Sequence, residues 1–279
     1  MTMDILPMTA RPGARRLQTL RCLGGVPRET GDDVADEVPV ALQYNGLSHA
    51  VMLATPLDLE DFAYGFSLSE GLVDRAEDLR DVEVEEVEQG IVLHVEIASR
   101  CLARLKERRR TLAGRTGCGL CGLQSLEQAL PRCEQRVAPV RLDASALSRA
   151  LDGMRSRQLL QSATGATHAA AWCGMDGEVL LLREDVGRHN ALDKLIGALA
   201  RQQADAPQGF FAVTSRASYE MVQKTVRAGV GALAAISAPT ALAVNTAQAA
   251  GLCLIGFARG LDWVAYSATE RLTMERLAA

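Results

Sequence analysis

Two thiols three residues apart, Cys118 and Cys121, stand in the run Gly117-Cys118-Gly119-Leu120-Cys121-Gly122. A Cys-x-x-Cys pair can hold a zinc ion jointly, shuttle a disulfide, or let one thiolate attack while the other resolves. Nearby backbone N–H groups favour each of these by lowering the thiol pKa. A thioredoxin-type pair joins a strand to a helix, whereas these cysteines are flanked by Gly117, Gly119 and Gly122 and follow a basic stretch, which predicts an exposed loop. A thiolate on such a loop can enter a donor's active site, accept a sulfane sulfur as a persulfide and present it elsewhere.

The zinc chemistry has its own sequence test. His94-Val95-Glu96 precedes the cysteine pair in an order resembling the H-x-E…P-C-x-x-C signature of zinc nucleobase deaminases. In that signature His and Glu work from a helix start, but here they fall in the alternating run Ile91-Val-Leu-His-Val-Glu-Ile97, which reads as a strand with an outward polar row. Position 117 is also Gly rather than Pro. A structural zinc needs four ligands, and the sequence holds no second Cys-x-x-Cys or His pair at ligand spacing. No metal site is expected.

Three further clusters combine charge with a predicted strand exit. Glu184-Asp-Val-Gly-Arg-His-Asn-Ala-Leu-Asp-Lys194 opens a helix after a strand, where open α/β sheets place ligands. Arg188 can chelate a phosphate or carboxylate and His189 can exchange a proton near neutral pH; equally, Asp185 and Asn190 can cap the helix with His189 merely hydrogen-bonded. Thr214-Ser215-Arg216-Ala217-Ser218 can cap a helix or grip a phosphate, and Lys224, further along that helix, reads as a surface lysine. Phe257-Ala258-Arg259-Gly260-Leu261-Asp262 follows the last predicted strand, with a glycine that permits close backbone approach.

These clusters need a scaffold, and the chain has the material for one. Its 279 residues are 48% hydrophobic and 23% charged, with a formal charge of −4, so a sizeable core is expected and no global attraction to nucleic acid. The seven cysteines are odd in number and irregularly spread, which fits a reducing cytosol rather than a secreted disulfide framework. Neither a secretory signal nor an apolar run of membrane-spanning length is expected.

Residues 1–35 lack periodicity and predict a mobile tail. Val38 to Tyr44 and Ser48 to Ala54 around Asn45-Gly46, and Val82 to Glu88 and Ile91 to Ala98 around Gln89-Gly90, predict two β-hairpins. Between them Thr55 reads as a helix N-cap with Pro56 at the first helical position. The basic run ending in Lys106-Glu-Arg-Arg-Arg110 reads as a solvated helix face or as a recruiter of an anionic partner. From Asp143 helices and strands alternate: helix 143–160, strands 167–173 and 177–183, helix 190–203, strand 210–214, helix 218–229, strand 233–236, helix 240–250, strand 252–257 and a final helix. That series predicts a C-terminal α/β domain over 143–279, a sheet covered by helices on both faces, preceded by a hairpin-and-helix lobe over 36–142 that carries the cysteine loop.

Taken in order, Glu37 to Gly46, Asp58 to Gly71, the Cys118/Cys121 loop, Asp185 to Lys194, Thr214-Ser-Arg216 and Gly256 to Gly260 resemble the formate dehydrogenase accessory sulfurtransferases, the FdhD family. The resemblance implies a three-layer α/β/α cytidine deaminase-like core with an additional N-terminal β-rich lobe, and a cytoplasmic homodimer. It implies a sulfur carrier that takes sulfur from a cysteine desulfurase of the IscS type as a cysteine persulfide. Delivery would be to the molybdenum bis(molybdopterin guanine dinucleotide) cofactor, bound as substrate, and would activate formate dehydrogenase; no nucleic acid, membrane or structural metal enters. By carry-over Cys118 bears the persulfide and Cys121 is the accepting or resolving partner. The family's cofactor-contacting segment maps onto Phe257, Ala258, Arg259, Gly260, Leu261 and Asp262, with Arg188, His189, Ser215 and Arg216 as further cofactor contacts. The segment continues Leu261-Asp-Trp-Val-Ala-Tyr266, a departure from the family pattern. Two alternatives stay open: a molybdenum cofactor-binding chaperone without sulfur transfer, and a zinc-dependent deaminase-like hydrolase.

Overall fold

The structure, a computed structural model, describes residues 11–112 and 135–274. Cys118 and Cys121 lie outside the described residues.

The N-terminal lobe is built from the two hairpins the turn residues predict. Strands β3 (Val38–Tyr44) and β4 (Leu47–Ala54) meet at Asn45 and Gly46, whose φ angles of 47° and 77° are those of a tight primed turn. β5 (Leu79–Val87) pairs antiparallel with β6 (Gly90–Ile97), and β6 lies parallel to β3, giving a four-stranded sheet in the order β4-β3-β6-β5. Its inner face (Val40, Leu42, Tyr44, Leu93, Val95, Ile97) buries Phe62 and Phe66 of α1 (Leu59–Ser69) and Cys101 and Leu105 of α2 (Ser99–Leu112). Thr55 is not the cap of α1. Asp58, at φ 51°, occupies the N-cap position without a side-chain cap bond, because Thr55 is drawn into contacts with the other lobe.

Two expectations fail at the ends of the chain. Within residues 1–35, read as a tail, β1 (Ala14–Leu23) and β2 (Val26–Ala35) pair antiparallel around Gly24 and Gly25, at φ 57° and 82°. Both faces of this hairpin are largely exposed, so no apolar alternation marks it; cross-strand hydrogen bonds and a glycine turn hold it instead. The final helix is also absent from the described residues. β13 (Asp262–Ser267) folds back on β12 (Cys253–Arg259), a 3-10 turn follows over Thr269–Arg271, and β14 (Leu272–Thr273) pairs parallel with β7 (Leu142–Asp143). Trp263, Val264 and Tyr266 are strand formers, which explains the outcome.

The intervening alternation appears as predicted: α3 (Ala144–Arg157), α4 (Leu159–Thr164), β8 (His168–Gly174), β9 (Val179–Asp185), α5 (Arg188–Arg201), β10 (Gly209–Val213), α6 (Tyr219–Arg227), β11 (Ala232–Ala235), α7 (Ala241–Ala250) and β12. Six strands form one sheet in the order β13-β12-β11-β10-β8-β9. Consecutive residues point to opposite layers: Phe211, Ala170 and Trp172 pack under α5, α6 and α7, while Phe210, Ala169 and Ala171 pack under α3. The chain is therefore a mixed α/β fold with a three-layer C-terminal sheet. Among the described residues no helix is long and apolar enough to cross a membrane.

The lobes join where α1 crosses α5 through two glycines. A Cβ at Gly65 would stand 1.6 Å from the Asp193 carbonyl oxygen, and one at Gly197 would stand 1.8 Å from that of Asp61. No other residue permits this approach. Acidic residues in the first turn of α1 add to the junction: Asp61 accepts from Arg183 at 2.7 Å and from Arg201 at 2.7 Å, and Arg201 also reaches Glu60.

Candidate functional site

Strand directions decide where the predicted clusters meet. β8 is antiparallel to β9 and β10, while β10, β11 and β12 are mutually parallel, so β9, β10, β11 and β12 all end at one edge of the sheet. Arg188, Arg216 and Arg259 follow β9, follow β10 and end β12 respectively, and therefore share this edge. At about 4.8 Å per strand they are spread over roughly 19 Å of it. None of the three guanidinium groups has an ion-pair partner among the described residues. Such an edge, at the carboxyl ends of parallel strands, is the ligand-binding side of open α/β sheets.

The Glu184–Lys194 segment divides its residues between scaffold and site. Asp185, wholly buried at the end of β9, takes Lys194 Nζ on Oδ2 at 2.6 Å and the Thr55 N–H on the same oxygen at 3.0 Å. Its Oδ1 accepts the Gly187 N–H at 2.7 Å and the Asn190 amide at 3.0 Å. Asn190 also donates to the Leu53 carbonyl, Lys194 to the Thr55 carbonyl, and the Val186 N–H to the Thr55 hydroxyl. Asp185, Asn190 and Lys194 thus fasten the chain entering α1 to the start of α5, a larger role than helix capping.

Lys224, which reads as a surface residue, is buried. Its Nζ lies 2.9 Å from Asp193 Oδ1, 2.8 Å from Glu70 and 2.8 Å from the Ser69 hydroxyl, which itself donates to Asp193 at 2.6 Å. Burial opposes the charge on Lys224, but Asp193 and Glu70 outweigh it and raise the ammonium pKa. Arg227 donates to the Ser69 carbonyl beside it. The two consecutive residues Asp193 and Lys194 therefore hold the last residue of α1 and the segment that leads into it, respectively. The signal was present in the sequence: both interrupt the apolar run Ala191-Leu192…Leu195-Ile196, where a solvated charge has no place.

Arg188 and His189 open α5 at the sheet edge. The Arg188 Nε and His189 Nε2 are buried without a hydrogen-bond partner among the described residues. Glu220 Oε2 is 3.9 Å from His189 Nε2, too long for a hydrogen bond, and accepts from the Ser218 hydroxyl at 2.7 Å. Burial, then the neighbouring Arg188 charge, push the His189 pKa down to about 4, so the ring is neutral at physiological pH. Two buried donors or acceptors lacking partners at a ligand-facing edge are what a polar ligand would satisfy.

The remaining predicted residues are also placed. Ser215 is buried and donates to the Arg216 carbonyl, while Arg216 is exposed; the Thr214 hydroxyl accepts the Ala169 N–H at 2.9 Å and is spent on the sheet. Phe257 to Asp262 is a hairpin tip rather than a loop after a last strand: Arg259 pairs with Asp262 around Gly260 and Leu261. Phe257, at φ 52° and bonded through its N–H to the Ser237 carbonyl, is 45% exposed, Leu261 is 84% exposed and Ala258 is buried. The His94–Glu96 pair lies on β6 as predicted, with His94 Nε2 held 2.7 Å from Glu85 Oε2 of the adjacent strand. Asp74, Asp78 and Cys101 come close enough for a metal, yet Arg100 already pairs with both carboxylates and Arg104 with Asp74.

The FdhD/NarQ family model matches residues 35–273. A protein of Cupriavidus necator named sulfur carrier protein FdhD is 60% identical over 248 residues, 88% of this chain and 85% of that protein. One of the same name from Bordetella petrii is 52% identical over 270 residues, covering 96% of this chain and 97% of the relative. A crystal structure of a candidate formate dehydrogenase accessory protein from Desulfotalea psychrophila superposes with a TM-score of 0.74 at 22% identity, over 94% of this chain and all of that one, which shows a common fold. By the extent of the family match and the level of identity, the chain belongs to the FdhD/NarQ family.

Proposed function

We propose that the protein is a sulfurtransferase that carries sulfur as a cysteine persulfide from a cysteine desulfurase to the molybdenum bis(molybdopterin guanine dinucleotide) of formate dehydrogenase. The observation that carries this reading is the near full-length identity to proteins named sulfur carrier protein FdhD, together with the Cys118/Cys121 pair. The Cys118 thiolate attacks the terminal sulfur of the desulfurase persulfide; the desulfurase thiolate leaves and Cys118 holds S–SH. The Cys121 thiolate then attacks the inner sulfur, hydrosulfide departs to the acceptor, and a thiol reductant reopens the resulting Cys118–Cys121 disulfide.

The cofactor, as substrate, is a polyanion with two pyrophosphates. The unpaired guanidinium groups of Arg188, Arg216 and Arg259, spread along one edge, suit such a ligand, as do the unsatisfied atoms of Arg188 and His189. Phe257 and Leu261 offer apolar surface beside Arg259 at the hairpin tip. Ser215, Ala258, Gly260 and Asp262 belong to the same contact region. A cytoplasmic homodimer and a core of the cytidine deaminase type complete the reading.

Its test is mass spectrometry of the full-length protein after incubation with an active cysteine desulfurase and isotopically labelled cysteine. Labelled, reductant-removable sulfur on the Cys118–Cys121 peptide is expected, lost in Cys118→Ala. An unlabelled peptide would reject the carrier and favour a cofactor-binding chaperone.

A further inference from the structure

A polar cleft of about 610 Å3 opens at the same sheet edge but on the side of α3 and α4. Arg155 and Gln158 at the end of α3, Gln161 in α4, His168 at the start of β8 and Thr214 line it, and no carboxylate does. Gln161 Oε1 accepts from the Thr167 N–H at 2.8 Å and from its hydroxyl, which fixes the amide and leaves the Nε2 donor uncommitted. Glu184, the acid approaching from β9, is spent on the N–H groups of Leu160 and Gln161 and on the Thr167 hydroxyl. The Thr214 hydroxyl is spent on Ala169. What remains is a set of donors: the Arg155 guanidinium, the Gln158 amide, the Gln161 Nε2 and the His168 ring have no hydrogen-bond partner among the described residues. Burial, and then the Arg188 charge, depress the His168 pKa, with Asp185 acting the other way, and the neutral ring offers one N–H donor.

We propose that this cleft binds a phosphate group, held by Arg155, the amides of Gln158 and Gln161 and one N–H of His168, at a subsite distinct from the Arg188–Arg216–Arg259 row. Donors brought together from α3, α4 and β8 match the many acceptor oxygens of a phosphate better than the two of a carboxylate, and Arg155 can engage two of those oxygens at once. The volume is ample for a nucleotide as well as for a free anion. The inference does not rest on the sulfur-transfer reading, since it needs neither Cys118 nor Cys121.

Isothermal titration of the full-length protein at low ionic strength with inorganic phosphate, inorganic pyrophosphate and ADP tests it. Saturable pyrophosphate binding is expected, weakened about tenfold by Arg155→Ala and about threefold by His168→Ala. It should be unaffected by Arg80→Ala, which removes an exposed charge from β5 in the other lobe. Arg155 is exposed and unpartnered, so its variant should keep the wild-type melting temperature and give an interpretable result. ADP binding tighter than pyrophosphate would identify a nucleotide as the source of the phosphate; equal or weaker binding would identify a free anion. No saturable heat with any probe, or an Arg80→Ala variant as weakened as Arg155→Ala, would overturn the site.

Discussion

Lys194 Nζ lies 2.6 Å from Asp185 Oδ2 with both side chains wholly buried, and the same ammonium donates to the carbonyl of Thr55 in the other lobe. The pair is therefore a bolt between lobes and not a free catalytic acid and base. Arg188 and His189, the first two residues of α5, stand between the two at the sheet edge and take no part in the pair. The bolt also fixes where Arg188 stands, because Arg188 opens the helix that Lys194 anchors.

Removing one member should cost far more than removing both. Lys194→Met strands a buried carboxylate with only N–H donors from Thr55, Gly187 and Asn190. A loss of about 3–5 kcal/mol in urea unfolding is expected. Asp185→Asn combined with Lys194→Met should recover a large part of it, and a double variant no more stable than Lys194→Met would show that the ion pair is not the source of the loss.

The crossing of α1 and α5 makes a sharper demand. At Gly65 or Gly197 even alanine places its Cβ within 2 Å of a backbone carbonyl of the facing helix, a contact relieved only by separating the helices. Gly65→Ala and Gly197→Ala should each destabilise by about 3 kcal/mol or more, above the usual overpacking cost because rigid backbone is the obstacle. A melting temperature unchanged by either substitution would contradict the crossing.

How much of this was readable beforehand follows from what each signal measures. The alternation from Asp143 to Arg259 was legible because each strand and helix there buries apolar residues at its own period, as Phe210 and Phe211 show by facing opposite layers. The β1–β2 hairpin buries almost nothing on either face, so periodicity could not report it, although Gly24-Gly25 marked its turn. That the three arginines share one edge was legible because the exits of parallel strands lie on the same side of the sheet. The clamp of Lys224 on Asp193 was not, since the pattern places a lysine on a helix face without saying which distant carboxylate meets it. Thr55 misled for a related reason: its hydroxyl suits an N-cap, but the Val186 N–H competes for it and wins.

His189 should leave a signature in the pH dependence of stability. Its pKa is about 4 in the folded chain against an ordinary 6.5, so between these values the unfolded chain binds the extra proton. Stability therefore falls as pH drops from about 6.5 towards 4, and His168, depressed in the same direction, adds to the loss. The lowered carboxylates Glu70 and Glu220 contribute only below their ordinary value of 4.5, whereas Asp193, raised by burial, acts in the opposite sense, so the His189 share is the part that its substitution removes. Urea midpoints at pH 7 and pH 5 should differ for the wild type and differ less for His189→Gln. An NMR titration placing the His189 ring near 6.5 would contradict the burial argument.

The separation of labour between thiols and arginines is the most discriminating prediction. Arg188, Arg216 and Arg259 occupy a sheet edge fixed by the C-terminal domain, and none of them has an ion-pair partner among the described residues whose loss would unfold the chain. If this edge holds the polyanionic cofactor as proposed, replacing each by alanine removes a charged donor, so cofactor retention should fall about tenfold per substitution, an effect that grows as ionic strength is lowered. In the proposed mechanism persulfide loading of Cys118 by the desulfurase precedes any cofactor contact, so it should match wild type in all three variants. Cys121→Ala should show the converse: normal cofactor retention and a loaded Cys118, but sulfur that stays on the protein because nothing attacks its inner sulfur. Normal sulfur release by Cys121→Ala would remove the resolving role, and loss of persulfide loading in the arginine variants would mean that the same edge also receives the desulfurase.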